Sequence, residues 1–147
     1  MKLRSQMPEL KGEAAWLNGS VKREDLVGKK PTIIHFWSMS CHDCKETMPQ
    51  LNQFKMLYEQ RVNFISVHMP RSMEDTDIGK IKKAARRYKM TQPIFIDNQM
   101  TLTDIFNNQY VPSYYLFDQN GVLRHYQSGG NGMKMLEKRV LKLLNEI

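Results

Sequence analysis

Thr32-Ile33-Ile34-His35-Phe36-Trp37, followed by Ser38-Met39-Ser40-Cys41-His42-Asp43-Cys44, is the stretch on which this sequence turns. Its first six residues are mostly apolar or β-branched, the pattern of a central strand buried on both faces. Beyond it Met48, Leu51, Phe54 and Tyr58 recur at helical spacing, so a helix is expected to begin near Cys41, with Pro49 kinking it. Cys41 and Cys44 are the only cysteines in 147 residues. Two cysteines exclude a disulfide-stapled scaffold and a four-cysteine zinc site. A Cys-x-x-Cys pair after a strand and at a helix start reads instead as a redox motif. Sulfurs so spaced on a first helical turn can reach disulfide distance. The unpaired N–H groups of that turn and the helix dipole favour a thiolate on the first sulfur. Cys41 is therefore expected to be the exposed nucleophile and Cys44, one turn inward, the resolving thiol. A protonated His42 would add positive charge near Cys41, and Asp43 works the other way. Two other readings of the pair remain open at this point. One is a pair of inert buried thiols, the other a metal site completed by His42 or His68.

Outward from this stretch, Val62 to His68 and Ile94 to Ile96 read as further strands. Tyr114 to Phe117 and Val122 to Tyr126 flank Asp118-Gln119-Asn120-Gly121, in which Asn-Gly signals a hairpin. A basic segment from Lys80 to Lys89 places Ile78, Ile81, Ala85 and Tyr88 on one helical face. A last helix is expected from Met133 to the C-terminus, with Leu136, Val140, Leu143, Leu144 and Ile147 on its apolar side. Met7 to Gly28, with turn signals at Asn18-Gly19 and Val27-Gly28, reads as a short β extension. The order is strand, helix, strand, helix, strand, short helix, hairpin, final helix. That is a βα-type front half joined to a ββα back half, in a single α/β domain spanning 1–147. Period-two alternation turns Phe36 away from Trp37, which is expected to pack beneath the cysteine turn. Met39 and Met69 are candidates for an adaptable apolar rim around the sulfurs.

The composition, 41% hydrophobic and 25% charged, is that of a folded globular chain. Lys and Arg number 22 against 15 Asp and Glu, a net charge of +7. Lys82, Lys83, Arg86 and Arg87 supply much of the excess. Against a nucleic-acid or acidic-partner patch, the apolar spacing favours the solvated face of an amphipathic helix, and no aromatic platform for bases is interleaved with them. A nucleic-acid-binding module is accordingly a distant reading. The start Met1-Lys2-Leu3-Arg4-Ser5 lacks the apolar run of a secretion signal, and no stretch approaches the length of a membrane helix. The expectation is a cytoplasmic protein without nucleic-acid or membrane partners.

Phe36-Trp37-Ser38-Met39-Ser40-Cys41-His42-Asp43-Cys44-Lys45-Glu46-Thr47-Met48-Pro49 resembles the active-site segment of the thioredoxin superfamily, in its TlpA/ResA-like branch. Within that branch it is similar to the YkuV-type thiol–disulfide oxidoreductases. Met7-Pro8-Glu9-Leu10, Trp16-Leu17-Asn18-Gly19, Tyr110-Val111-Pro112-Ser113-Tyr114-Tyr115 and Gly129-Gly130 fall in the matching order, so the resemblance covers nearly the whole chain. It implies a thioredoxin fold, a central mixed β-sheet flanked by helices, with an N-terminal β extension over 1–30. It also implies a βα-type insertion over about 69–98 that holds the basic helix. Further, it implies a cis bond between Val111 and Pro112, with Pro112 against the sulfurs. By the same resemblance, Val111 and Pro112, with Gly129, are expected to bind substrate, the Val111 backbone pairing with an extended substrate segment.

The departures concern proton handling. Ser40 stands where the family has a tryptophan before the first cysteine, and His42-Asp43 where thioredoxin has Gly-Pro. His35 stands at the buried acid's place and Thr47 at that of the ResA-like glutamate, with Glu46 one position earlier. His35 is therefore a candidate proton relay to Cys44, set against a plain neutral core histidine. With Trp37, His42, Asp43 and Pro112 it completes the supporting set. The resulting expectation is a thiol–disulfide oxidoreductase of cell redox homeostasis. It would act on protein or small-molecule disulfides and be regenerated by an upstream thiol reductase. It would need no cofactor or metal beyond the Cys41–Cys44 couple. The alternative is a non-catalytic copper or zinc carrier using the same cysteines with a histidine.

Overall fold

The computed structural model describes residues 1–147. The strands are β1 (Ala15–Leu17), β2 (Thr32–Trp37), β3 (Asn63–His68), β4 (Ile94–Ile96), β5 (Ser113–Phe117) and β6 (Leu123–Ser128). The helices are α1 (Arg23–Leu26), α2 (His42–Tyr58), α3 (Ile78–Arg87), α4 (Thr101–Phe106) and α5 (Met133–Leu144), with a 3-10 turn at Glu74–Thr76. All six strands form one mixed sheet in the order β1-β4-β3-β2-β5-β6. β2, β3 and β4 run parallel, whereas β1, β5 and β6 join antiparallel to their neighbours.

Every residue of β2 is buried, because β3 and β5 cover its edges and helices cover both its faces. Its alternation divides the core in two. Ile33 and Trp37 join Cys41, Cys44, Met48 and Leu51 of the α2 segment, Ile81 of α3, and Leu136 and Val140 of α5. Ile34 and Phe36 face the other way, toward Met7, Leu26, Leu102 and Phe106. Burying each such large side chain stabilises the fold by about 1.5–3 kcal/mol. The sheet therefore holds the end of β2, from which the cysteine loop departs, more firmly than any local interaction could.

The hairpin forms as its sequence indicates, but β6 begins at Leu123 and runs on to Ser128. Asp118 explains the late start: its carboxylate accepts the Asn120 and Val122 N–H groups and keeps the turn closed to that point. The N-terminal segment is less purely β than its turn signals suggest. It contributes β1 and an isolated bridge from Gln6 to Val122, but it also forms α1. α5 stops at Leu144 and leaves Ile147 63% exposed, outside the apolar face assigned to it. α2 continues through Pro49 to Tyr58. Pro49 cannot donate to the Lys45 carbonyl, and since both residues are exposed, water is available to that carbonyl. No helix is long and apolar enough to cross a membrane.

Candidate active site

The strand-to-helix junction at the end of β2 is built by Ser38 to Cys41. The Ser38 hydroxyl donates to the Met69 carbonyl, and the Cys41 N–H donates back to Ser38 O at 3.1 Å. Cys41 is the N-cap of α2, and its sulfur accepts the Cys44 N–H at 3.0 Å. The unpaired amide expected at this turn is therefore directed at the first sulfur. Cys41 and Cys44 are joined as a disulfide.

The expectation that Cys41 is exposed requires correction. It retains only 4% of its surface, and Cys44 retains none. The cover comes partly from afar in sequence. Cys41 Sγ lies 3.6 Å from the Val111 carbonyl, and Val111 and the half-buried Met39 pack against the same cluster as the sulfurs. The Val111–Pro112 bond is cis. Asn108 braces this loop, donating to Tyr110 O at 2.9 Å and accepting the Tyr115 hydroxyl at 2.8 Å. Gly129, at φ 98°, donates its N–H to Pro112 O at 2.9 Å. Its amide is thus committed to the loop rather than free for a substrate. Met69 does not join Met39 at the sulfurs but packs into the opposite core with Phe36.

Trp37 lies in the cluster that holds both cysteines, edge-on to His68 with ring centroids 4.9 Å apart. His42 and Asp43 are exposed, and the His42 ring sits 3.7 Å from Glu46 rather than over the disulfide. Thr47, at the position of the ResA-like glutamate, is buried and donates to the carbonyls of Asp43 and Cys44 at 2.9 and 3.1 Å. His35 is stacked on Tyr114 and shares a 2.8 Å hydrogen bond with Ser66 through Nδ1, while Nε2 has no partner. Burial pushes its pKa down to about 3, so the imidazole stays neutral through the physiological range. A ring kept neutral by burial fits the plain core histidine better than a relay that titrates near neutral pH.

Three polar residues hold the loop from the other side: Asp75 and Arg71, which the sequence did not single out, and His68, considered there only as a metal ligand. The Asp75 carboxylate, from the 3-10 turn, is 1% exposed. It accepts the Ser40 hydroxyl at 2.7 Å and the Arg71 N–H at 2.9 Å. The Arg71 guanidinium donates to Ser40 O at 2.7 Å. His68 accepts the Met39 N–H at 3.0 Å through Nε2. Burial lowers the His68 pKa to about 4 against an opposing pull from Asp75. This keeps the ring neutral and the acceptor nitrogen available. The carrier alternative finds no support, since no three His, Cys, Asp or Glu side chains converge on a common point. His68 directs its accepting nitrogen to an amide, and His42 lies beside Glu46.

Comparison with known proteins agrees with this geometry. Residues 3–126 match the AhpC/TSA family. The chain is 62% identical over 146 residues to the thiol-disulfide oxidoreductase YkuV of Bacillus subtilis, covering 99% of each chain. It is 26% identical over 112 residues to the thiol-disulfide oxidoreductase ResA of Geobacillus kaustophilus, covering 76% of this chain and 62% of that one. A solution structure of a thioredoxin-like protein in its oxidized form superposes with a TM-score of 0.91, at 62% identity and 99% coverage of both chains.

Proposed function

This chain belongs to the AhpC/TSA family and is a thiol–disulfide oxidoreductase of thioredoxin-like fold, and from that premise we propose how its two sulfurs divide the reaction. In the dithiol form the Cys41 thiolate attacks one sulfur of a substrate disulfide. A Cys41–substrate bond forms, the substrate S–S bond breaks, and the leaving thiolate takes a proton. The Cys44 thiolate then attacks Cys41 Sγ, closing the Cys41–Cys44 disulfide and releasing the second substrate thiol. Two electrons pass to the substrate, and an external dithiol reductase must return them.

One observation carries this assignment. Cys41 Sγ alone combines residual exposure, the Cys44 N–H and the neighbouring Val111 carbonyl. The Val111 backbone then pairs with an extended segment of a disulfide-bearing protein, Pro112 and Gly129 shape that loop, and Trp37 and His35 support the sulfurs from beneath. His42 and Asp43 tune the couple from the surface. No organic cofactor is required, since both electrons reside on sulfur. In a reducing cytoplasm, where this protein is proposed to act, the net direction is disulfide reduction.

Insulin reduction by dithiothreitol tests the assignment. Cys41→Ser is expected to lose acceleration entirely. Cys44→Ser is expected to accumulate a mixed disulfide through Cys41, visible by mass spectrometry. Trapping through Cys44 in the Cys41→Ser variant instead would reverse the roles.

A further inference from the structure

A groove of about 400 Å³ lies beside the cysteine loop, between Met39 and Ser40 on one side and α3 on the other. Met39, Ala84 and Tyr88 give it apolar surface, and the Met39 backbone is fixed by His68. Its charges do not balance. Glu74 is paired with Lys80 at 3.0 Å. Asp75 is buried and already accepts from Ser40 and Arg71. Lys83 and Arg87 remain, both exposed and neither in an ion pair or side-chain hydrogen bond. They stand one helical turn apart, a like-charge spacing that slightly disfavours the helix. Arg87, in the last turn, complements the dipole of α3, but Lys83 one turn earlier gains no such compensation. The arrangement places two cations without a side-chain partner next to the residue preceding Cys41.

We propose that this groove seats an acidic segment of the protein substrate beside the disulfide under attack. Lys83 and Arg87 pair with its carboxylates, and Met39 and Tyr88 pack against its apolar residues. The proposal rests on the reading of Cys41 as the attacking sulfur and adds a substrate class to it. The redox step is unchanged, since the groove alters only which disulfides are delivered to Cys41. The adjoining cations Lys82 and Arg86 provide an internal control: Lys82 and Arg86 line a separate cavity with Trp16 and Leu17.

The test compares disulfide-linked peptides that differ only in Glu, Gln or Lys flanking the cysteine, together with 2-hydroxyethyl disulfide as a small neutral substrate. At low salt the native protein is expected to prefer the Glu peptide in kcat/KM by about fivefold, a modest factor because exposed ion pairs are individually weak. The preference is expected to vanish at high salt. Lys83→Glu/Arg87→Glu is expected to reverse it toward a Lys-flanked peptide. Lys82→Glu/Arg86→Glu, with the same change in net charge, is expected to retain it. Equal kcat/KM for the Glu and Gln peptides would overturn the proposal, as would equal loss of preference in both double variants, which would indicate diffuse attraction. Trapping of the Glu peptide through Cys44 in a Cys41→Ser variant would instead count against the underlying assignment of Cys41.

Discussion

The disulfide stands between two walls of opposite character. On one side the loop from Asn108 to Pro112 brings the Val111 carbonyl to 3.6 Å from Cys41 Sγ and makes no hydrogen bond to the backbone of the cysteine loop. On the other side His68, Arg71 and Asp75 engage that backbone or its side chain at Met39 and Ser40. The first wall is braced internally and leaves the Val111 carbonyl facing the sulfur. The second uses its polar groups to hold the sulfur's support in place. A site that must form and break bonds to many partners needs both: one surface fixing the nucleophile, the other available to the incoming chain.

The largest effect is expected from breaking the holding wall. Asp75→Ala leaves the Arg71 N–H and the Ser40 hydroxyl without their acceptor, and a loss of about 3 kcal/mol in urea unfolding is expected. A change below about 0.5 kcal/mol would show that Asp75 does not hold the loop in place. Acid sharpens the same contrast. The unfolded chain protonates His68 near pH 6.5, whereas burial holds its native pKa at about 4. The unfolded state therefore binds more protons between these values, and stability falls as pH drops through that window. The slope approaches about 1.4 kcal/mol per pH unit for this residue. His35, held at about 3, adds a contribution of the same sign that extends lower. His68→Gln, which keeps an acceptor for Met39, should flatten the acid limb of a stability profile, and an unchanged limb would argue against a neutral buried ring.

A smaller effect, of about 1–2 kcal/mol, is expected for Asn108→Ala in the presenting wall, because it removes the partners of Tyr110 O and the Tyr115 hydroxyl. Here KM for a peptide disulfide should rise while the rate with a small neutral disulfide is retained. Equal loss on both substrates would erase the distinction between the walls. The smallest effect belongs to the exposed residues between the cysteines. Exchanging His42-Asp43 for Gly-Pro should move the reduction potential by about 30 mV or less, because the His42 side chain is 78% exposed and water screens it. Equilibration against a glutathione buffer measures this directly.

The presenting wall was largely legible in the sequence, and the holding wall was not. The continuous run from Thr32 to Trp37 carries its own boundaries, and Cys41, Cys44, Val111 and Pro112 lie in motifs that name their neighbours. Asp75 sits in Glu74-Asp75-Thr76-Asp77, which reads as an ordinary acidic turn. Only tertiary placement, bringing it to Ser40 across 35 positions, makes it a buried acceptor. The burial of Cys41 is a matter of degree: the Val111–Pro112 loop is expected against the sulfurs, but only the three-dimensional packing shows how closely the Val111 carbonyl, at 3.6 Å, covers Cys41 Sγ. His35 shows a different limit. Its position suggested proton chemistry, but the complete burial that keeps it neutral depends on Tyr114 and Ser66 from neighbouring strands. Ser40 departs from the family pattern. Its replacement of a large aromatic residue makes sense once Arg71 and Asp75 are seen to bind it.

The outermost strand has a reach its size conceals. β1 is three residues long, yet it zips onto β4 from Ala15 opposite Ile96 to Leu17 opposite Ile94. Just beyond it, the Asn18 amide fastens to the carbonyls of Met90 and Gln92, each at 3.0 Å. The length of chain pinned in this way leads back through α3 to Arg71 and Asp75. The N-terminal segment is therefore a tether rather than a tail. Proteolytic clipping near Gly19, or a fusion partner that peels β1 from the sheet, would touch no catalytic residue and still slacken the grip on the loop that carries Cys41.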